Sequence, residues 1–159
     1  AALRLEDFEF VFMGKFPQHM HYHWLEIQKL LTDANVKFQS PRLYAGLDYV
    51  STLCNASNVA AVIWSAEDYN PRTVYDALFC NLPVFVSQEA HTVGKINNTA
   101  GRIVNSTADN SAIVHQFKEF LSTDWGDRPL QYAKQHMGNQ TEFRRFLGIL
   151  SGHNEPCRL

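Results

Sequence analysis

The chain is poor in charge. Of its 159 residues only 19% are Asp, Glu, Lys or Arg, and the formal net charge is -2. No basic stripe with interleaved aromatics occurs, so nothing draws the chain to a polyanion, and nucleic acid is not an expected partner. No apolar run reaches the roughly 18–20 residues that span a bilayer as a helix, so no membrane span is expected. There is no Gly-x-Gly-x-x-Gly and no Walker loop, which argues against nicotinamide and P-loop chemistry. The lack of a Gly-x-Ser-x-Gly elbow argues against an α/β-hydrolase. Cysteine is sparse, and Cys54, Cys80 and Cys157 form neither a CxxC pair nor a zinc spacing. Cys54 and Cys80 fall among apolar residues on expected helices, where a free thiol behaves as a small hydrophobe.

What is present is enough apolar material for one core, 45% of residues, laid out in a strand–helix rhythm. Apolar runs at 8–13 (closed by Gly14), 36–38 (ended by Ser40-Pro41), 59–64, 83–87 and 101–104 read as strands. Between them, helical spacing predicts helices over about 21–34, 47–57 and 71–81. Trp24, Ile27, Leu30 and Leu31 mark the first helix, and Asn35 is its expected stop. The run at 59–64 is apolar on both faces, as a central parallel strand requires. From Ser111 onward three helices are expected, broken near Trp125-Gly126 and Gly138. Trp24, Phe117, Phe120, Phe143 and Phe146 sit at helical spacings and read as core.

Alternation of this kind predicts an α/β fold, a Rossmann-like doubly wound parallel sheet with helices on both faces and further helices at the C-terminus. The expected organisation is one domain over 1–150 and a tail over 151–159. The chain opens Ala1-Ala2-Leu3-Arg4, without Met or an apolar leader core, and reads as a domain of a longer polypeptide.

Open parallel sheets bind ligands at the carboxyl ends of their strands. Here those ends carry Gly14-Lys15, Ser40-Pro41-Arg42, the segment 65–72 and the segment 87–91, which ends in His91. The richest is the third, where Ser65, Glu67, Asp68, Asn70, Arg72 and Thr73 precede Asp76. Pro71 suits the first turn of a helix, and the free amides near Arg72 and Thr73 form an anion site. A cation in that first turn is disfavoured by the helix dipole, which points either to a nearby anion or to an ion pair with Asp68 or Glu67. Asp76, about one turn further in, carries a carboxylate suited to polyol hydroxyls. Diphosphate on the helix start and sugar on carboxylates together describe a nucleotide sugar.

This stretch resembles the signature of retaining glycosyltransferases of the GT-B fold, specifically the sucrose-synthase and mannosyltransferase-like family. Asp68, seven residues and Asp76 reproduce that family's acid-x7-acid spacing, and Ala77, Cys80, Pro83 and Val84 fall at matching places. The resemblance implies a donor-binding C-terminal half that binds a UDP- or GDP-sugar for glycosyl transfer. The acceptor would be held by a partner domain absent from this chain, leaving the isolated domain inactive. It implies that the pair Asp68 and Asp76 is catalytic, with Asp68 on the donor sugar and Asp76 on the ribose. The amides of 70–73 would hold the diphosphate and the loop 39–42 would lie beside the base. Gly14, Lys15, Arg42, Ser65 and Glu67 complete the implied donor site, with no metal and no cofactor beyond the donor substrate itself. Four features depart from the pattern: Asp replaces Glu at both acids, Asn81 replaces Gly, Trp64 replaces Pro, and one N-terminal strand–helix unit is lacking. A non-catalytic Rossmann-like interaction or structural module derived from such an enzyme is the alternative.

Two other patterns stand out. His19, His21 and His23 would align for a metal only on a strand, and the segment reads as a helix start, where i and i+2 diverge. Four Asn-x-Ser/Thr sequons begin at Asn55, Asn97, Asn105 and Asn139, against about one expected by chance. Either the chain passes through a secretory compartment, or its loops are merely rich in Asn, Ser and Thr and it is cytoplasmic.

Overall fold

Short β-branched and aromatic runs pair, and the helices between them carry the chain across to the next strand. The computed structural model describes residues 7–13, 18–43, 46–55, 58–64, 72–90 and 96–138. The implied site residues Gly14, Lys15, Ser65, Glu67, Asp68 and Asn70, together with His91, Phe143, Phe146 and the tail 151–159, lie outside the described residues. The backbone divides into two compact units, Ala1–Tyr49 and Val50–Leu159.

In the first unit, β1 (Glu9–Met13) leads through a 3-10 turn (Gln18–Met20) into α1 (His21–Asp33) and then β2 (Lys37–Arg42). β1 and β2 pair in parallel. His21 and His23 lie on α1, so the aligned-strand geometry does not form. Trp24 is buried, with Phe12 and Phe38 edge-on to its ring at 5.1 and 6.1 Å. The expected stop at Asn35 forms. Asn35 takes φ 53°, its amide donates to the Thr32 carbonyl, and the Val36 amide donates back to the Leu31 carbonyl. That is a Schellman cap with asparagine in the place glycine usually fills. β2 runs further than the sequence suggests, through Ser40 and Pro41 to Arg42. The register slips between Val11↔Gln39 and Met13↔Arg42, leaving an extra residue on β2. A bulge of this kind tolerates a proline that cannot donate to the ladder. Residues 39–42, expected as a loop, are therefore strand.

α2 (Gly46–Cys54) spans the boundary between the units. The second unit continues with β3 (Ala61–Ile63), α3 (Arg72–Phe79), β4 (Val84–Ser87), a 3-10 turn (Gln88–Ala90), β5 (Gly101–Val104), α4 (Asn110–Ser122) and α5 (Arg128–His136). The sheet order is β3-β4-β5, all parallel. β3, expected to be central, is an edge strand among the described residues, and its Val62 is 48% exposed. The central strand is β4, every residue of which is buried. An apolar run marks a strand that can be buried on both faces; pairing on both sides decides which strand is.

β5 lies so close to β4 at Gly101 that an added Cβ would meet the Val84 carbonyl oxygen and approach Val84 Cγ2 to 2.6 Å. Phe85 of β4, Val104 of β5 and Phe120 of α4 form the core, with Ile113, Phe117, Leu121 and Trp125 packed around them. The Phe85 and Phe120 centroids stand 5.3 Å apart, and Phe117 meets Phe85 edge-on at 5.0 Å. Contacts of this geometry add to the area buried. Trp125 ties itself down by donating Nε1–H to the Phe120 carbonyl at 2.9 Å.

Two long-range links fix α3. Cys54, at the end of α2, and Cys80, just past α3, form a disulfide with Cα atoms 4.4 Å apart. The two cysteines expected as free apolar thiols are thus bonded, because the fold brings two helix ends together across 26 residues of sequence. Closing such a loop restricts the unfolded chain by about 3 kcal/mol. The second link is Asn81, at φ 60°. It caps α3 as Asn35 caps α1, its amide donating to Leu78 and that of Leu82 to Ala77. Its side chain then reaches α5. Oδ1 accepts from the Leu130 amide at 3.1 Å, while Nδ2 donates to the Gly126 carbonyl at 3.0 Å and to Asp127 Oδ1 at 3.4 Å. Asp127, the N-cap of α5, makes no side-chain cap bond of its own. Asn81, just past α3, supplies that cap instead.

The chain is a mixed α/β protein with two small sheets, and every strand pairing among the described residues is parallel, as the alternation predicts. Among those residues no helix is long and apolar enough to cross a membrane.

Candidate functional site

α3 is amphipathic by construction. Val74, Ala77 and Leu78 are buried, which turns Arg72 and Thr73 outward in the first turn and leaves Asp76 half-buried. The helix follows β3, so its start belongs to the strand-end side where parallel sheets bind ligands. The first backbone amides of any helix lack acceptors within it, which suits a helix start to an anion, and the first-turn residues Arg72 and Thr73 are exposed here.

Asp76 carries two opposed influences. Burial, the larger, raises its carboxyl above the ordinary carboxylate range, while the positive charge of Arg72 one turn earlier lowers it. The net direction is upward. Arg72 therefore acts on Asp76, at the i,i+4 spacing of a helix face, while Asp68 and Glu67, the other acids expected beside it, lie outside the described residues. Of the implied site residues, the structure holds Arg72, Thr73 and Asp76 together on one helix. Arg42 ends β2 in the first unit and is exposed.

Sequence reasoning missed one acidic residue. Glu89 lies in the 3-10 turn directly after β4, at the carboxyl end of the central strand. Its Oε2 is buried and has no hydrogen-bond partner among the described residues. A buried oxygen without a donor is rare enough to require a reason, and a ligand hydroxyl is one such reason. Only its place in the segment 87–91 pointed to it. Trp64 follows β3 and stacks on Phe85 with centroids 6.5 Å apart and ring planes 20° apart. It is 49% exposed, leaving half of an aromatic surface uncovered beside the strand ends.

The first unit has an open concavity lined by Asp7, Glu9, Thr32, Asn35, Lys37 and Phe38. It gathers the amino ends of β1 and β2, the wrong end of the strands for the expected site. Among the described residues no group of three His, Cys, Asp or Glu side chains is placed to hold a metal ion. Compared with protein-family models and with curated proteins, the sequence finds no match in either.

Proposed function

We propose that the chain is the donor-binding half of a GT-B glycosyltransferase, with a Rossmann-like sheet that binds a nucleotide diphosphate sugar. The observation that carries this reading is α3. An exposed helix start bearing Arg72 and Thr73 follows a parallel strand, and a half-buried carboxylate stands one turn behind it. The amides and Arg72 suit the two phosphates, and Asp76 accepts hydrogen bonds from the ribose hydroxyls. Asp68 is proposed for the donor sugar on the resemblance alone. Glu89 adds a buried acceptor at the next strand end.

In this reading glycosyl transfer depends on stabilising the diphosphate as it leaves, by a helix start and a cation already in place before charge develops. The nucleotide sugar is substrate, no metal or separate cofactor takes part, and the acceptor sits on a partner domain outside this chain.

Calorimetric titration with a panel of nucleoside diphosphates and their sugars tests the reading. Saturable binding that Asp76→Ala weakens about tenfold or more supports it, since a charge-assisted hydrogen bond contributes roughly 1.5–3 kcal/mol. A folded chain that binds none of the panel is instead the non-catalytic module.

A further inference from the structure

We infer that Asn97 and Asn105 carry N-linked glycans and that the chain matures in an oxidising secretory lumen. This inference is independent of the donor-site reading.

Three observations converge. The first is the Cys54–Cys80 disulfide, a bond that persists in secreted and lumenal proteins and is rare where the cytosol keeps thiols reduced. The second is the excess of sequons, the acceptor pattern of N-glycosylation. The third is the geometry at two of them. Asn97-Asn98-Thr99 lies just before β5 and Asn105-Ser106-Thr107 directly after it. In both, the asparagine and the threonine two residues on are exposed, which leaves room for a bulky hydrophilic group among the described residues.

The local hydrogen bonding is the same in each. Oδ1 of Asn97 accepts from the Thr99 amide at 2.9 Å and from its hydroxyl. Oδ1 of Asn105 accepts from the Thr107 amide at 2.9 Å and its hydroxyl at 2.7 Å. Both side chains thus engage their acceptor oxygen, and among the described residues neither Nδ2 donates to another atom. Asn55 differs. It is exposed, but its Nδ2 donates to Ser51 Oγ at 3.1 Å, and it adjoins the disulfide. The structure therefore ranks Asn97 and Asn105 above Asn55.

The modification balances as a group transfer. Nδ2 attacks the anomeric carbon of an oligosaccharide linked to a lipid pyrophosphate. A C–N bond forms, the C–O bond to pyrophosphate breaks, the lipid pyrophosphate leaves with the bonding pair, and Nδ2 loses one proton.

The test is peptide mass mapping of the full chain secreted through the lumen of a glycosylating eukaryotic host. Enzymatic glycan release in heavy-oxygen water marks each occupied asparagine as labelled aspartate. Label at Asn97 and Asn105 in most molecules, with less at Asn55 and with the Cys54–Cys80 peptide pair intact, is the expected result. Thr99→Ala and Thr107→Ala each remove the label at their own site while keeping the asparagine. If either fails to be secreted, Asn97→Gln and Asn105→Gln replace them. A secreted chain with no label at Asn97 and Asn105 overturns the inference, as does one in which both cysteines alkylate as free thiols.

Discussion

The first unit buries Trp24 and Val36 among its described apolar residues, whereas the second buries all of β4 and packs Phe120, Val104 and Phe85 into one core. Both are parallel strands joined by a crossing helix. In the first, Leu25 and Leu30 of α1 remain 51% and 69% exposed. In the second, β4 is flanked on both edges and α3 is tied by a disulfide and by Asn81. Apolar periodicity therefore states which residues are available for a core, and pairing on both sides decides which of them enter it. The candidate site belongs to the better-fastened unit, as a preorganised anion site requires.

The contrast is broken most directly by side-chain deletion. Phe120→Ala should cost about 3–5 kcal/mol of unfolding free energy, while Leu30→Ala on exposed α1 should stay within about 0.5 kcal/mol. Denaturant midpoints at unchanged slope measure both. Next in size is the disulfide. Cys54→Ser with Cys80→Ser should cost about 3 kcal/mol, and reductant should lower the melting temperature of the parent chain but not of the double variant. Asn81→Ala loses the α5 cap and leaves alanine in a left-handed conformation, for about 2 kcal/mol. Asn81→Gly keeps the conformation and should cost under about 1 kcal/mol. Similar losses for the two would mean that the side-chain reach to α5, which both variants remove, outweighs the backbone strain that only alanine suffers.

Two carboxylates sharpen the comparison by pH. The Asp76 carboxyl is raised in the fold by burial. Its stabilising contribution is fully present below the unfolded pKa and is lost as pH rises through the folded one. Asp76→Asn should therefore flatten that decline in stability, while weakening nucleotide-sugar binding. Asp109, the N-cap of α4, is lowered instead, chiefly by the Ser111 hydroxyl and amide that donate to it. Its contribution is present above the unfolded pKa and is lost as pH falls through the folded one. Asp109→Ala should lose about 1 kcal/mol of capping, most fully on the neutral side of that range, read from melting curves across pH.

Much of the architecture was legible in the sequence. The strand–helix alternation, the start of α1 at His21, the stop at Asn35 and the break at Trp125-Gly126 all form. These are local signals of period, cap and turn. What was not legible depends on distance. The disulfide needs the ends of α2 and α3 to meet. The role of Asn81 lies 49 residues away at Leu130. β2 continues through Pro41 because a bulge, set by β1, accepts it. Within the candidate site, the grouping of Arg72, Thr73 and Asp76 follows from helix period, whereas Glu89 emerged only from the burial of its oxygen.

The central claim is that the start of α3 receives a diphosphate. Backbone amide NMR shifts during titration with a nucleoside diphosphate test it most directly. The account predicts saturable shifts concentrated at Arg72, Thr73 and Val74, reduced in Asp76→Asn. Shifts confined to the Asp7–Lys37 concavity of the first unit, or no shifts in a folded chain, would contradict it.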